Sequence, residues 1–232
     1  MAIIPFPGRA THAHLLDLYD RLRLLQRDLH NRILHTVSRK EHLAAARELG
    51  MYDAGEFVFQ NESEETILLD YCVYRHVVKG RSLVQRYAVA NAPPPEGSDE
   101  RMLLDAMCDA RFRSIEVARV EKDVGFEARD LIYGGTRFFM DRSLGATVKV
   151  GAVLAGNTVA LGEFYMSTGV FMRPGDDYKD AAEESAREAG FDLNIDLEAR
   201  GVALPPDIES LLAQELINAV CDDGLSGSIE YV

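Results

Sequence analysis

The stretch Arg111–Met140, RFRSIEVARVEKDVGFEARDLIYGGTRFFM, decides the fold. Upstream of it, apolar residues recur at helical spacing. At Arg111 the period drops to alternation, with Ile115 and Val117 separated by polar neighbours. Gly134-Gly135 stands between apolar runs, one ending in Tyr133 and the next beginning near Phe138, which is a hairpin signal. Further on, Val148, Val150, Ala152 and Leu154 alternate and predict another strand. Gly156-Asn157 predicts a turn before Val159–Leu161, and Gly162 precedes Phe164-Tyr165-Met166. Short strands this dense in one region predict a small antiparallel β-barrel or strongly bent sheet.

Working outward, the N-terminal side reads as helices. Leu15, Leu18, Leu22, Leu25 and Leu29 make a heptad seam over a helix from about Thr11 to His35. Leu16, Tyr19, Leu24, Ile33 and Leu34 widen that stripe, which favours packing onto a globular core. The seam also offers a homodimer contact. Ser38 and Glu41 have capping-box spacing, and Gly50 stops the helix they open. Ser63 is a cap candidate for a helix carrying Ile67, Leu68, Tyr71, Tyr74 and Val78. Pro93-Pro94-Pro95 breaks the helical run, and Asp99 opens the next helix. On the C-terminal side, Asp176 or Asp177 can cap a helix to about Ala189. Pro205-Pro206 opens a last one whose apolar residues are Ile208, Leu211, Leu212, Leu216, Ala219 and Val220. The expected architecture is α+β in three parts: a helical domain over 1–92, a helix plus small barrel over 98–172, and an acidic helical segment over 173–232.

The 232 residues carry a formal net charge of −13, unevenly placed. Residues 151–232 hold 4 basic against 16 acidic side chains, and no basic residue follows Arg200. Such a surface repels phosphate backbones, so nucleic acid is an unfavoured partner there and a basic protein a favoured one. No stretch reaches the roughly 18 apolar residues of a membrane span. The three cysteines fit neither a disulfide framework nor a zinc knuckle. The expected location is the cytoplasm.

Chemistry-bearing patterns are sparse. Cys72 and His76 stand four apart on one predicted helix, the spacing at which a base can meet a thiol. Asp130, beside Arg129 at the hairpin, is a further weak catalytic candidate or a strand-end ion pair with Arg129. His12 and His14, with His30, His35 and His42, invite a metal reading, but no carboxylate or cysteine completes a ligand set. Asp192, Asn194 and Asp196 match half a calcium loop, with Leu197 and Ala203 where glycine and glutamate are needed. Tyr165, Ser167 and Thr168 cluster hydroxyls near a strand end. The dinucleotide, P-loop, nucleophile-elbow and H-E-x-x-H motifs do not occur. The pattern predicts no catalytic, cofactor or metal site. It favours a non-catalytic binding or adaptor protein over a hydrolase-like enzyme with an unrecognised site, or a nucleic-acid-associated factor.

Several stretches together carry a resemblance: Ala44–Gly50, TILLDYCVY at Thr66–Tyr74, Leu103–Ala106 leading to Ala110-Arg111-Phe112, Arg129–Leu131, and Gly162–Met166. Their order resembles an uncharacterised bacterial family of helical-plus-small-barrel proteins. It is similar to modules that precede SEC-C zinc motifs in larger chains. No such cysteine-rich tail is expected from these 232 residues, and the resemblance implies an architecture and no activity.

Overall fold

The computed structural model describes residues 9–175, 178, 196–222 and 230–231. A long helix α1 (Arg9–Leu34) opens the chain, followed by α2 (Arg39–Glu48) and a two-stranded hairpin, β1 (Tyr52–Asp53) with β2 (Glu56–Phe57). Then come α3 (Glu62–Tyr74), α4 (Leu83–Ala90) and α5 (Asp99–Cys108). Local chemistry sets their ends. Ser38 and Glu41 make both bonds of the capping box at α2, and Ser98 accepts from the Arg101 amide at α5. Asn61, rather than the expected Ser63, caps α3 by accepting from the Ser63 amide.

The centre is a closed five-stranded barrel of β3 (Arg111–Glu121), β4 (Gly125–Asp130), β5 (Thr136–Met140), β6 (Val153–Ala160) and β7 (Tyr165–Ser167). The order around the barrel is β3-β4-β5-β7-β6, and β6 returns to β3. All pairings are antiparallel except β5 with β7, which run parallel at Phe139 and Tyr165. Strand β3 makes closure possible. Its first half pairs with β6, its second half with β4, and a bulge between Val117 and Arg119 bends it between the two. This connectivity, with a helix between the third and fourth strands, is that of OB-type barrels.

That helix, α6 (Arg142–Thr147), lies just before the strand expected from Val148 to Leu154. Asp141 caps it by accepting from the Leu144 amide, and Gly145 sits where a side chain would strike the backbone of Gly125. The helix closes one barrel end with Leu144, which packs with Ile115, Phe126, Phe139 and Leu154. Val148 follows the helix, and the strand begins only at Val153. Gly156-Asn157 is not a turn but the middle of β6. Glycine is required there because a Cβ would run into the Val170 carbonyl of β8 (Val170–Phe171).

The helices pack on the barrel through one apolar cluster that joins Leu22 and Leu29 of α1 and Leu103 of α5 to Met140, Val159 and Met166. The α1 seam residues Leu15, Leu22 and Leu29 are buried in this core, while Leu24 is exposed. The last helix, α7 (Pro206–Asp222), packs Leu216, Ile217 and Val220 on α2, α3 and β3, and β9 (Glu230–Tyr231) pairs with β8. The expected helix to Ala189 lies outside the described residues. Among the described residues no helix is long and apolar enough to cross a membrane.

Candidate functional site

The barrel end opposite α6 is charged inside. Arg113 shares its face of β3 with Ile115 and Val117, yet is 1% exposed. Its guanidinium donates to Thr158 Oγ1 at 2.9 Å, to Asp130 Oδ2 at 2.5 Å and to Glu198 Oε2 at 2.6 Å. Arg137, on the inward face of β5, donates to the Gly134 carbonyl at 2.5 Å, to Asp196 Oδ1 at 2.9 Å and to Glu198 Oε2 at 2.9 Å. The Tyr165 ring lies under both guanidinium groups, at 5.1 and 5.7 Å, and the Tyr133 ring lies at 5.0 Å from Arg113.

Burial works against the charge of each arginine. The carboxylates of Asp130 and Glu198 outweigh it and raise Arg113, and both arginines hold Glu198 below the usual carboxylate range although its own burial pushes the other way. Asp130 organises the strand end. Its Oδ1 accepts from the amides of Ile132 and Tyr133 at 2.9 and 2.8 Å, which fixes the turn into Gly134 and Gly135, both at positive φ. Asp130 therefore pairs with Arg113 and Arg137 across the barrel. Its neighbour Arg129 pairs with Glu116 instead, so the expected Arg129–Asp130 pair does not form.

A second buried ion cluster anchors α7. Glu209, 2% exposed, meets Arg75 at 3.0 Å and Arg111 at 3.4 Å, and accepts from the Phe112 amide. Arg75 also donates to the Ala110 carbonyl, and Ser210 donates to the Arg75 carbonyl at 2.8 Å. Beside them lies a small polar cavity of about 180 Å³. Sequence reading missed Glu209. The signal was its place one turn before Ala213, in line with Leu216, Ile217 and Val220. A carboxylate on an apolar stripe needs a buried partner.

The same shift of face moves Ile208, Leu211 and Leu212, expected to be buried, to the outside. They are 43, 49 and 37% exposed, with Asp207 and Glu215 exposed beside them. They stand at i, i+3 and i+4, so α7 carries a second, unburied apolar stripe.

The remaining candidates scatter. Cys72 is buried in the core, and burial, with Glu48, Glu41 and Asp70 nearby, pushes its thiol up to about 12, the reverse of an activated thiolate. His76 is engaged through Nδ1 by Glu48 at 2.9 Å, and that carboxylate oxygen also accepts from Tyr71. Asp130 lies in the barrel network, apart from the core cluster that holds Cys72. His30 meets Tyr74 Oη at 2.5 Å, His42 packs against Phe57, and His35 is exposed. Among the described residues no three His, Cys, Asp or Glu side chains gather as a metal site. Of the half calcium loop only Asp196 is described. It pairs with Arg137 and caps the Ala199 amide. Ser167 takes Arg23 of α1 on its hydroxyl and carbonyl.

Thr168 and Asn157 both donate to Asp70 of α3, each at 2.6 Å. Burial pushes the Asp70 carboxyl up to about 6. A carboxyl raised on folding adds stability that is complete below its ordinary value and lost as pH rises through about 6. His30, pushed down to about 4 by burial and Arg23, acts oppositely over the same window: its contribution is lost as pH falls below the ordinary value. The two mask each other in the wild type. In D70N only the His30 dependence remains. Urea titrations should therefore show D70N gaining about 1–3 kcal/mol on the wild type between pH 4.5 and 7.5. Parallel pH curves for the two proteins would contradict this.

No curated protein and no solved structure matches the chain. A sequence profile matches residues 13–189, from within α1 through the barrel, and is described as a family of unknown function, DUF7986. The chain belongs to that family.

Proposed function

We propose that this protein is a non-catalytic binding protein whose α7 face receives a basic, amphipathic segment of a protein partner. The observation that carries the reading is the exposed stripe Ile208, Leu211 and Leu212, with Asp207 and Glu215 exposed beside it, on a helix with no basic residue. The other face of that helix is anchored by Glu209, Ser210 and Gln214, so the stripe is held rigidly toward solvent. Rigid apolar anchors flanked by carboxylates suit a helix-in-groove partner with Leu- and Lys-type residues. A cytoplasmic setting and a kinship with modules that precede SEC-C motifs both accord with such a role.

Titration calorimetry with a synthetic Leu/Lys amphipathic peptide tests it. L211S should weaken binding about tenfold, the effect of one lost apolar anchor. Raising salt from about 50 to 500 mM should weaken it further, and a Leu/Glu peptide should not bind. Equal binding by wild type and L211S would reduce the interaction to bulk charge and end the proposal.

The OB-type connectivity gives a nucleic-acid reading one point in its favour. Against it, the outer face of β4 and β5 is neutralised and covered. Arg129 pairs with Glu116, Arg119 with Glu127, and Phe138 packs under the helical cluster.

A further inference from the structure

We propose that the charged barrel mouth is a binding site for a phosphate-type dianion, and that Asp196 and Glu198 occupy it as the chain's own stand-in. Three donors, Arg113 Nη2, Arg137 Nε and Arg137 Nη2, converge on the single oxygen Glu198 Oε2, at 2.6, 3.2 and 2.9 Å. One carboxylate oxygen has about two lone-pair directions, so three donors crowd it and the third is held at 3.2 Å. A phosphate would offer separate oxygens to Arg113 Nη2 and to the Nε/Nη2 edge of Arg137, which alone can bind it through two N–H groups.

The charges agree. Asp130 is fixed inside by two turn amides and neutralises one of the two arginines. Asp196 and Glu198 supply two negative charges from outside the barrel, the charge of a phosphate dianion. The arginines are nearly fully buried and belong to β3 and β5, whereas the side chains of Asp196 and Glu198 are each about one-third exposed (35 and 33%) and belong to the segment leading to α7. The receptor half is thus built into the barrel and the anion half comes from a turn at its rim. Between the two parts the backbone contributes the Leu197 amide to the Tyr133 carbonyl, at 2.9 Å. The Tyr133 and Tyr165 rings lie within cation–π distance of the guanidinium groups, Tyr133 of Arg113 and Tyr165 of both.

The test compares full-length wild type with D196N/E198Q, titrated with inorganic phosphate and, at matched ionic strength, with chloride and acetate. The variant should bind phosphate at least about tenfold more tightly than wild type and melt higher in phosphate than in chloride. Acetate should do little. A phosphate monoester titrated in parallel tells a free ion from a phosphate carried on a larger molecule, since only a site open at the rim accepts both. Adding R137Q to the variant should abolish the effect. Should D196N/E198Q not fold, E198Q alone carries the same comparison. Equal melting in phosphate and chloride for the variant that folds would overturn the proposal and leave the cluster as a structural ion network.

Discussion

D130A loses about 3–5 kcal/mol of folding stability, read from the midpoint and slope of urea unfolding. Asp130 is fully buried and does two things at once. One oxygen holds the Ile132 and Tyr133 amides of the turn; the other neutralises Arg113, with Arg137 at 3.7 Å. Alanine leaves two backbone donors unsatisfied and two guanidinium groups inside the barrel with Glu198 and Asp196 alone to compensate them. Removing one partner of a buried pair leaves the desolvation of the other uncompensated, which is the origin of the magnitude. D130N separates the two roles. Its amide oxygen still accepts from the turn, so it should lose roughly half as much. A loss in D130A below about 1 kcal/mol would mean that the barrel mouth is solvated and its ion network contributes little.

E209A produces the second large effect, of about 3–5 kcal/mol by the same argument. Its consequence is more local. Glu209 joins α7 to Arg75 at the end of α3, to Arg111 at the start of β3 and to the Phe112 amide. Without it Arg75 is a buried cation facing the polar cavity, and the first turn of α7 loses its tether. Amide hydrogen exchange should therefore quicken over Pro206–Asp222 more than over β3–β5. E209Q keeps an acceptor for the Phe112 amide and should retain part of the stability. Uniform quickening throughout the chain would show that α7 and the barrel unfold as one unit.

These two residues also mark where sequence reading stops. Local signals were legible because their causes are local. Ser38 and Glu41 make the capping box their spacing predicts, Pro206 opens α7, and Gly134-Gly135 turns β4 into β5. The alternation at Ile115 and Val117 correctly announced the barrel. Closure was not legible, because it depends on partners far apart, such as Arg111 with Thr158 and Phe139 with Tyr165. Helix α6, six residues long, carries no apolar periodicity of its own, and the alternation from Val148 sets the next strand too early, because Val148 packs into the barrel core before β6 begins at Val153. The charged interior has a signal in the sequence. Arg113 shares a strand face with Ile115 and Val117, and Arg137 with Phe139, so the period that predicts burial for the apolar residues predicts it for the arginines too. On α7 the apolar residues formed two stripes, and the buried one was the stripe containing Glu209, since Arg75 and Arg111 wait for it across a sequence gap no pattern reveals.

Buried ion clusters hold the barrel mouth and α7 in place, and we propose that the outer stripe of α7 is where a protein partner docks. Hydrogen exchange on full-length protein saturated with the Leu/Lys peptide tests it most directly. Protection confined to α7 around Ile208, Leu211 and Leu212, and absent in L211S, is the predicted result. Protection centred on β4 and β5, with α7 unchanged, would contradict it.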